Sequence, residues 1–302
     1  MKIGFIGTGS IGNPVAMNLV QAGHSLFIHD IQPKAYQNLE AQGAVACSTP
    51  AQVASHAEII FLSLPSNIEV NEVCFSEHGL LKMIKKGCYL CDLTTVSIQL
   101  IPKLEAAEKS LGFHYLTSPV SEGVDNAKQG KLSIFVGGDK EDYEHCLPVY
   151  ACIAKEVIYT GSHFSAIAAK LLTNLLWFIH AAAIGEALIL GAKSGIDLPT
   201  LEKVILNSCG NSWVASHDIA SIYDGSYDPS FSIKLCCKDL RLINELAAQL
   251  NVPIEMGALV EQIFRRASNV YGEDAPELSV VRYLEEITET PLNSRKDANL
   301  DS

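Results

Sequence analysis

Six residues near the amino end, Gly7-Thr8-Gly9-Ser10-Ile11-Gly12, constrain this chain more than any other segment. They form a Gly-x-Gly-x-x-Gly run directly after the β-rich Lys2-Ile-Gly-Phe-Ile6 and before a helical run over Asn13–Ala22. Three glycines in isolation say little; between a strand and a helix they specify a turn. Gly7 permits the tight turn, Gly9 lets backbone approach a pyrophosphate, and Gly12 lets the helix pack close to the strand. The helix start presents unpaired N–H groups and a positive dipole end to phosphates, so Thr8, Ser10 and Ile11 join the glycines as candidate cofactor contacts. Asp30 closes the next β-rich run, Ser25–His29, eighteen residues after Gly12. A carboxylate there accepts hydrogen bonds from ribose hydroxyls and repels a 2′-phosphate. No arginine follows in Ile31-Gln32-Pro33-Lys34, so the expected cofactor is NAD rather than NADP.

The pattern begun by that motif continues to about residue 160. Short β-rich runs follow at Ile59–Leu62, Tyr89–Asp92, Phe113–Leu116, Ser133–Val136 and Val157–Tyr159, with amphipathic helical segments between them. Such alternation predicts parallel βαβ units, a doubly wound α/β domain of Rossmann type. From Gly161 the strand signals stop. Helical runs are expected at Phe164–Ser194, ended by Gly195, and then at Pro199–Asn207, Lys234–Leu250, Ile254–Asn269 and Glu277–Glu286. The expected organisation is a dinucleotide-binding domain over 1–160, an all-helical domain over 161–290, and a mobile polar tail over 291–302.

Bulk properties narrow the partners. A formal net charge of -12 repels phosphate backbones, so no nucleic-acid partner is expected. The long apolar run from Ile167 to Ala192 is interrupted by Lys170, Asn174, His180 and Glu186. Those residues are costly in a bilayer, so the run is read as a buried or interface helix, with no membrane association and a homodimer or homotetramer as the expected assembly. The nine cysteines include Cys88 and Cys91 at Cys-x-x-Cys spacing, but no second pair or matching histidines accompany them. No metal site is expected; buried reduced thiols and a cytoplasmic location are.

Further segments resemble the β-hydroxyacid dehydrogenase family, the group that includes 3-hydroxyisobutyrate dehydrogenase and tartronate semialdehyde reductase. The resemblance runs to about Ile287. Gly-Phe-Ile-Gly-Thr-Gly-Ser-Ile-Gly-Asn-Pro-Val-Ala-Met-Asn-Leu at 4–19 resembles the family signature, Leu64-Pro65 its loop over the cofactor, and Asp92-Leu-Thr-Thr95 its Asp-x-Ser/Thr-Thr segment. Ser118-Pro-Val-Ser-Glu-Gly123 is similar to its substrate loop, Gly161 through Lys170-Leu-Leu-Thr-Asn174 to its Lys-x-x-x-Asn helix, and Lys238-Asp-Leu240 to its late Lys-Asp-Leu. The resemblance implies that Lys170 is catalytic, that Asn174 orients substrate, that Thr95 sits near the nicotinamide end, and that Lys238 reaches cofactor and substrate. Departures are Glu122 where the family usually has Gly, Asp125 and Asn126 after it, and Ser165-Ala166 and Thr173 before and within the helix motif.

The residues themselves supply a chemistry. Lys170 and Asn174, four apart, share one helix face. A lysine on an apolar face could serve as general acid/base for an alcohol oxygen, with Asn174 holding that oxygen; it could equally snorkel to solvent. Ser121 and Gly123, with backbone N–H groups, could clasp a substrate carboxylate. Glu122 either enters the site, binding a cationic or polyhydroxyl substrate, or points to water. Lys238 could be no more than the surface partner of Asp239. Trp177 and Trp213 are expected in core packing. Together with the resemblance, these readings give an NAD-dependent oxidoreductase of small 3-hydroxy acids and semialdehydes. Imine reduction and a non-catalytic dinucleotide-binding scaffold are the alternatives, and retention of Lys170 argues against both.

Overall fold

The computed structural model describes residues 1–293. The chain divides into two compact units, Met1–Lys170 and Leu171 onward. Of the expected tail, residues 294–302 lie outside the described residues.

The first unit carries strands β1 (Lys2–Ile6), β2 (Ser25–His29), β3 (Val45–Ala46), β4 (Ile59–Leu62), β5 (Tyr89–Asp92), β6 (His114–Thr117), β7 (Val120–Ser121), β8 (Leu132–Gly137) and β9 (Ala154–Gly161). Between them run α1 (Gly12–Gln21), α2 (Gln37–Glu40), α3 (Pro50–His56), α4 (Asn67–Phe75), α5 (Ile101–Leu111), α6 (Gly123–Lys128) and α7 (Lys140–Tyr150). The strands form one sheet in the order β3-β2-β1-β4-β5-β6-β8-β7, with β9 beside β8. The order reverses at β1, whose neighbours β2 and β4 are both parallel to it. Such a reversal opens a crevice at the carboxyl ends of the strands, where open α/β sheets bind ligands. Burial on both faces explains the unbroken apolar run of β4, Ile59-Ile-Phe-Leu62, in which every residue is buried.

The expectation of a wholly parallel sheet is corrected at one edge. Strand β8 runs antiparallel to both β6 and β7, and β9 is parallel to β8. The link from β6 to β8 holds only a two-residue strand and the six-residue α6. Residues 122–131, the link from β7 to β8, are too little chain for the crossover that a parallel pair needs, so β8 returns in the opposite direction. Strands β3 and β7, two residues each, leave no periodic trace in the sequence.

Helix α8 (His163–Lys193) begins in the first unit and continues into the second. There follow α9 (Leu198–Leu206), α10 (Trp213–His217), α11 (Ile219–Tyr223), α12 (Ile233–Gln249), α13 (Glu255–Tyr271) and α14 (Ser279–Thr288). The short α10 and α11 were not expected; five residues are too few to show a helical period. Within the second unit α8 packs tightly through glycines. A Cβ on Gly185 would lie 2.9 Å from Val281 Cγ2, and one on Gly191 2.5 Å from Leu201 Cδ2. Phe178 of α8 meets Phe264 of α13 edge-on at 5.2 Å. The opposite stripe of α8 leaves Leu172, Leu176 and Leu190 exposed.

Candidate active site

The glycine turn has the geometry its sequence implies. Gly7 takes φ +91°, and a Cβ there would lie 2.2 Å from Ser63 O. A Cβ on Gly12 would lie 1.9 Å from Gly7 O, so α1 meets the turn at backbone distance. Gly9 differs, since a Cβ there would meet no protein atom within 4 Å. Protein packing does not require that glycine; a group brought against the turn would. No side chain caps the start of α1, where Ile11 stands, which suits a helix end that receives an anion. These features fit a dinucleotide pyrophosphate.

Asp30 lies one residue beyond β2 rather than within it. Its Oδ2 accepts from Thr8 N at 2.7 Å and Thr8 Oγ1 at 3.3 Å, and its Oδ1 accepts from Gln32 N at 2.8 Å. The carboxylate thus fastens the glycine turn to the end of β2 while keeping lone pairs for a further donor. On the other side of β1, the loops after β4 and β5 are tied to each other. Leu64 N donates to Thr94 Oγ1 at 3.1 Å, Thr94 N donates to Asp92 Oδ1 at 3.0 Å, and Tyr115 OH reaches Asp92 Oδ2 at 3.4 Å. Asp92 is fully buried, and burial pushes its carboxyl up to about 6 against the opposing hydrogen bonds from Thr94 and Tyr115. This tie positions Leu64, exposed Pro65 and half-buried Thr95, the residues assigned to the cofactor. Asp92 itself was not among them; its signal was an acidic residue ending an apolar strand.

At the end of β7, Ser121 pairs with Ser133 across the antiparallel ladder. Glu122 and Gly123 then take φ +88° and +73°. For a non-glycine residue that conformation costs on the order of 1 kcal/mol or more. Neither expectation for the Glu122 side chain matches the structure. Its Oε1 accepts from Ser133 Oγ at 3.1 Å and its Oε2 pairs with Lys155 Nζ at 2.9 Å. A protein cation therefore answers this carboxylate, so it gives no ground for expecting a cationic substrate. Asn126 Nδ2 donates to Glu122 O at 3.0 Å, while exposed Asp125 pairs with Lys128 at 2.9 Å.

Lys170, half-buried, is the last residue of the first unit, and Asn174 stands four residues on along α8. In the second unit Asn174 Nδ2 donates to Asp239 Oδ2 at 2.7 Å. A carboxylate only accepts, so the amide has one orientation, with its oxygen turned away from Asp239. Lys238 Nζ lies 3.1 Å from Asp239 Oδ1, an ion-pair contact without hydrogen-bond geometry. Lys238 is only 15% exposed and Asp239 2%, so the pair is interior rather than the surface pair the residues alone allowed. Sequence reasoning missed Asp239 as a site residue. Its signal was a carboxylate on the buried stripe of α12, beside Cys236, Leu240 and Ile243.

The other singled-out residues are structural. Trp177 Nε1 donates to Asp218 Oδ2 at 3.1 Å, and burial pushes the Asp218 carboxyl up to about 6. Trp213, expected in the core, is 44% exposed and stacks on His217 at 4.1 Å. A tryptophan one turn from a histidine finds a ring to cover it without entering the core. Cys88 and Cys91 are buried and unbridged, with burial raising the Cys88 thiol to about 12.

Comparison with known proteins agrees with this geometry over both units. Residues 2–161 match the NAD binding domain of 6-phosphogluconate dehydrogenase, and residues 165–284 match the NAD-binding domain of NADP-dependent 3-hydroxyisobutyrate dehydrogenase. Mitochondrial 3-hydroxyisobutyrate dehydrogenase of Rattus norvegicus is 32% identical over 94% of this chain and 87% of its own length. The 2-(hydroxymethyl)glutarate dehydrogenase of Eubacterium barkeri is 34% identical over 95% and 96%. A solved 3-hydroxyisobutyrate dehydrogenase from Salmonella typhimurium superposes with TM-score 0.86 at 27% identity, covering 94% of this chain and 99% of that one. With its glycine turn and the tied loops on either side of β1, this chain belongs to the β-hydroxyacid dehydrogenase family and binds a nicotinamide dinucleotide.

Proposed function

We propose that this protein interconverts a small 3-hydroxy acid and its semialdehyde, with NAD as hydride partner and Lys170 as the general acid/base. The coarser activity, oxidoreduction of hydroxy acids and semialdehydes, is that of its family. The observation that carries the finer reading is the fixed amide of Asn174, set by buried Asp239, one helical turn from Lys170. An amide held this way presents its oxygen in one direction and can orient a hydroxyl group without titrating.

A nicotinamide dinucleotide, which the Gly7–Gly12 turn and Asp30 would hold, would supply the hydride chemistry linking the alcohol carbon and the aldehyde. Lys170 removes the hydroxyl proton in oxidation and supplies one in reduction. Ser121 and the backbone N–H groups of the Glu122–Gly123 segment hold the substrate carboxylate. Asp30 accepts the ribose hydroxyls, and its charge disfavours a 2′-phosphate; Lys34 is the nearest cation in sequence to oppose that preference. Lys238, on α12 beside Asp239, has the part in cofactor and substrate binding that the family resemblance implies. The exposed stripe of Leu172, Leu176 and Leu190 on α8 supports assembly through a second copy of this chain. Nine free cysteines support a reducing compartment, the cytoplasm.

A screen of 3-hydroxy acids and semialdehydes with NAD and with NADP, read by absorbance of the reduced nicotinamide, tests substrate and cofactor together. Lys170→Ala should lose at least about a hundredfold in kcat with dinucleotide affinity kept. Near-normal turnover in that variant would remove Lys170 from the mechanism. A stable monomer in light scattering would remove the proposed assembly.

A further inference from the structure

Glu122 holds a backbone conformation that its side chain disfavours, yet that side chain is tied at both oxygens. Its φ is +88°, and only five non-glycine residues among those described have positive φ. Oε1 takes the Ser133 hydroxyl at 3.1 Å and Oε2 the Lys155 ammonium at 2.9 Å. Ser133 is on β8 and Lys155 on β9, so the loop after β7 is fastened across two further strands.

The ladder shows why Lys155 reaches that far. Strands β8 and β9 pair Leu132 with Ala154 and then Ser133 with Glu156, so Lys155 is an extra residue at a bulge. A bulge breaks the alternation of side chains and re-aims the residue it adds. Ser133, which takes Glu122 Oε1, is the residue that faces Ser121 in the β7–β8 ladder. Tether and loop are therefore built on one stretch of β8.

We infer that Glu122 is a positioning residue for substrate. Lys155 and Ser133 hold its carboxylate so that the Glu122–Gly123 backbone keeps the left-handed form in which, beside Ser121, it receives the substrate's carboxylate. The inference rests on the proposed role of that loop. Where a glycine would adopt this form through its own freedom, here the form is maintained by a side-chain anchor. Lys155 also cancels the negative charge that Glu122 would otherwise bring to an anion-binding loop.

The test is a double-mutant cycle on the full-length protein with two readouts. Lys155→Met should raise KM for the hydroxy acid about fivefold, the scale of a partly exposed ion pair, with kcat within about twofold. Lys155→Arg should restore KM. In the Glu122→Gly background Lys155→Met should have no further effect, because no carboxylate remains to be held and glycine takes positive φ unaided. Amide hydrogen exchange over residues 119–131, measured without substrate, reports the tether separately. Faster exchange in Lys155→Met, absent from the Glu122→Gly background, is the expected result. Unchanged exchange would overturn the tether itself. Faster exchange with unchanged KM would instead overturn the loop's role in holding substrate. An equal rise in KM in both backgrounds would show that Lys155 acts elsewhere and would also defeat the inference.

Discussion

At Gly7 an added Cβ would lie 2.2 Å from Ser63 O, whereas at Gly123 it would meet nothing within 4 Å, although φ is positive at both. The first turn is closed by packing: strand, helix and neighbouring loop meet at backbone distance, and no side chain fits at Gly7 or Gly12. The second is closed only by dihedral preference and by tethers from other strands. That difference explains why one turn keeps glycine at Gly7 and Gly12 while the other admits a glutamate. It also teaches where each can be broken. A packed turn fails by collision, locally and completely. A tethered turn fails by loosening, and its partners are remote.

The largest effect is therefore expected at Gly12. Its Cβ would fall 1.9 Å from Gly7 O and 3.1 Å from Phe5 Cε1, and neither can yield without moving the end of β1. Gly12→Ala should destabilise the protein by about 3 kcal/mol or more and abolish dinucleotide binding. Urea unfolding with and without the nicotinamide dinucleotide measures both. A variant of unchanged stability that still binds the dinucleotide would show that packing does not close this turn.

The packed side also depends on a buried charge, through the tie from Asp92 via Thr94 to Leu64. Leu64 Cδ2 would be 2.9 Å from a Cβ on Gly7, so this tie braces the first turn. The folded carboxyl is raised to about 6, mainly by burial, above its unfolded value of about 4. Between those values the folded protein holds a proton that the unfolded chain has lost. Stability should thus fall as pH rises from about 4 to about 6, by roughly 2–3 kcal/mol from this group, and level off above. Asp218, raised to about 6 by burial, contributes in the same direction. Asp92→Asn should reduce the slope without abolishing it, as read from unfolding at pH 4.5 and 7. An unchanged slope would mean that burial of Asp92 carries no penalty.

The same contrast governs what could be read in the sequence. The first turn was legible because the collision of Gly12 with Gly7 joins residues five apart and adjoins a strand with a clear pattern; β2 has the expected bounds, with Asp30 directly after it. The centre of the parallel half, β1 and β4 to β6, was legible because both faces of those strands are buried. The antiparallel edge was not, since its direction is set by a short link rather than by composition. Glu122 was noticed as a departure, but its partners lie 11 and 33 residues away, one at a bulge that no local pattern announces. The grip of Asp239 on Asn174 spans 65 residues and depends on how α8 and α12 pack. Residue types at both places were visible; the pairings that give them a role were not.

The smallest effect is expected at Gly123. Alanine there meets open space, so only the +73° dihedral opposes it. Such a substitution typically destabilises by about 1 kcal/mol, partly through the unfolded chain. Gly123→Ala should lower the melting temperature by a few degrees and raise substrate KM a few-fold. Dinucleotide affinity should be unchanged, because the strain stays within a loop held by Glu122 and its partners. Loss of dinucleotide binding, or a loss of stability matching Gly12→Ala, would mean that the second turn is packed as rigidly as the first and would erase the distinction. A change confined to KM keeps the distinction and places the loosened backbone next to the substrate rather than the dinucleotide.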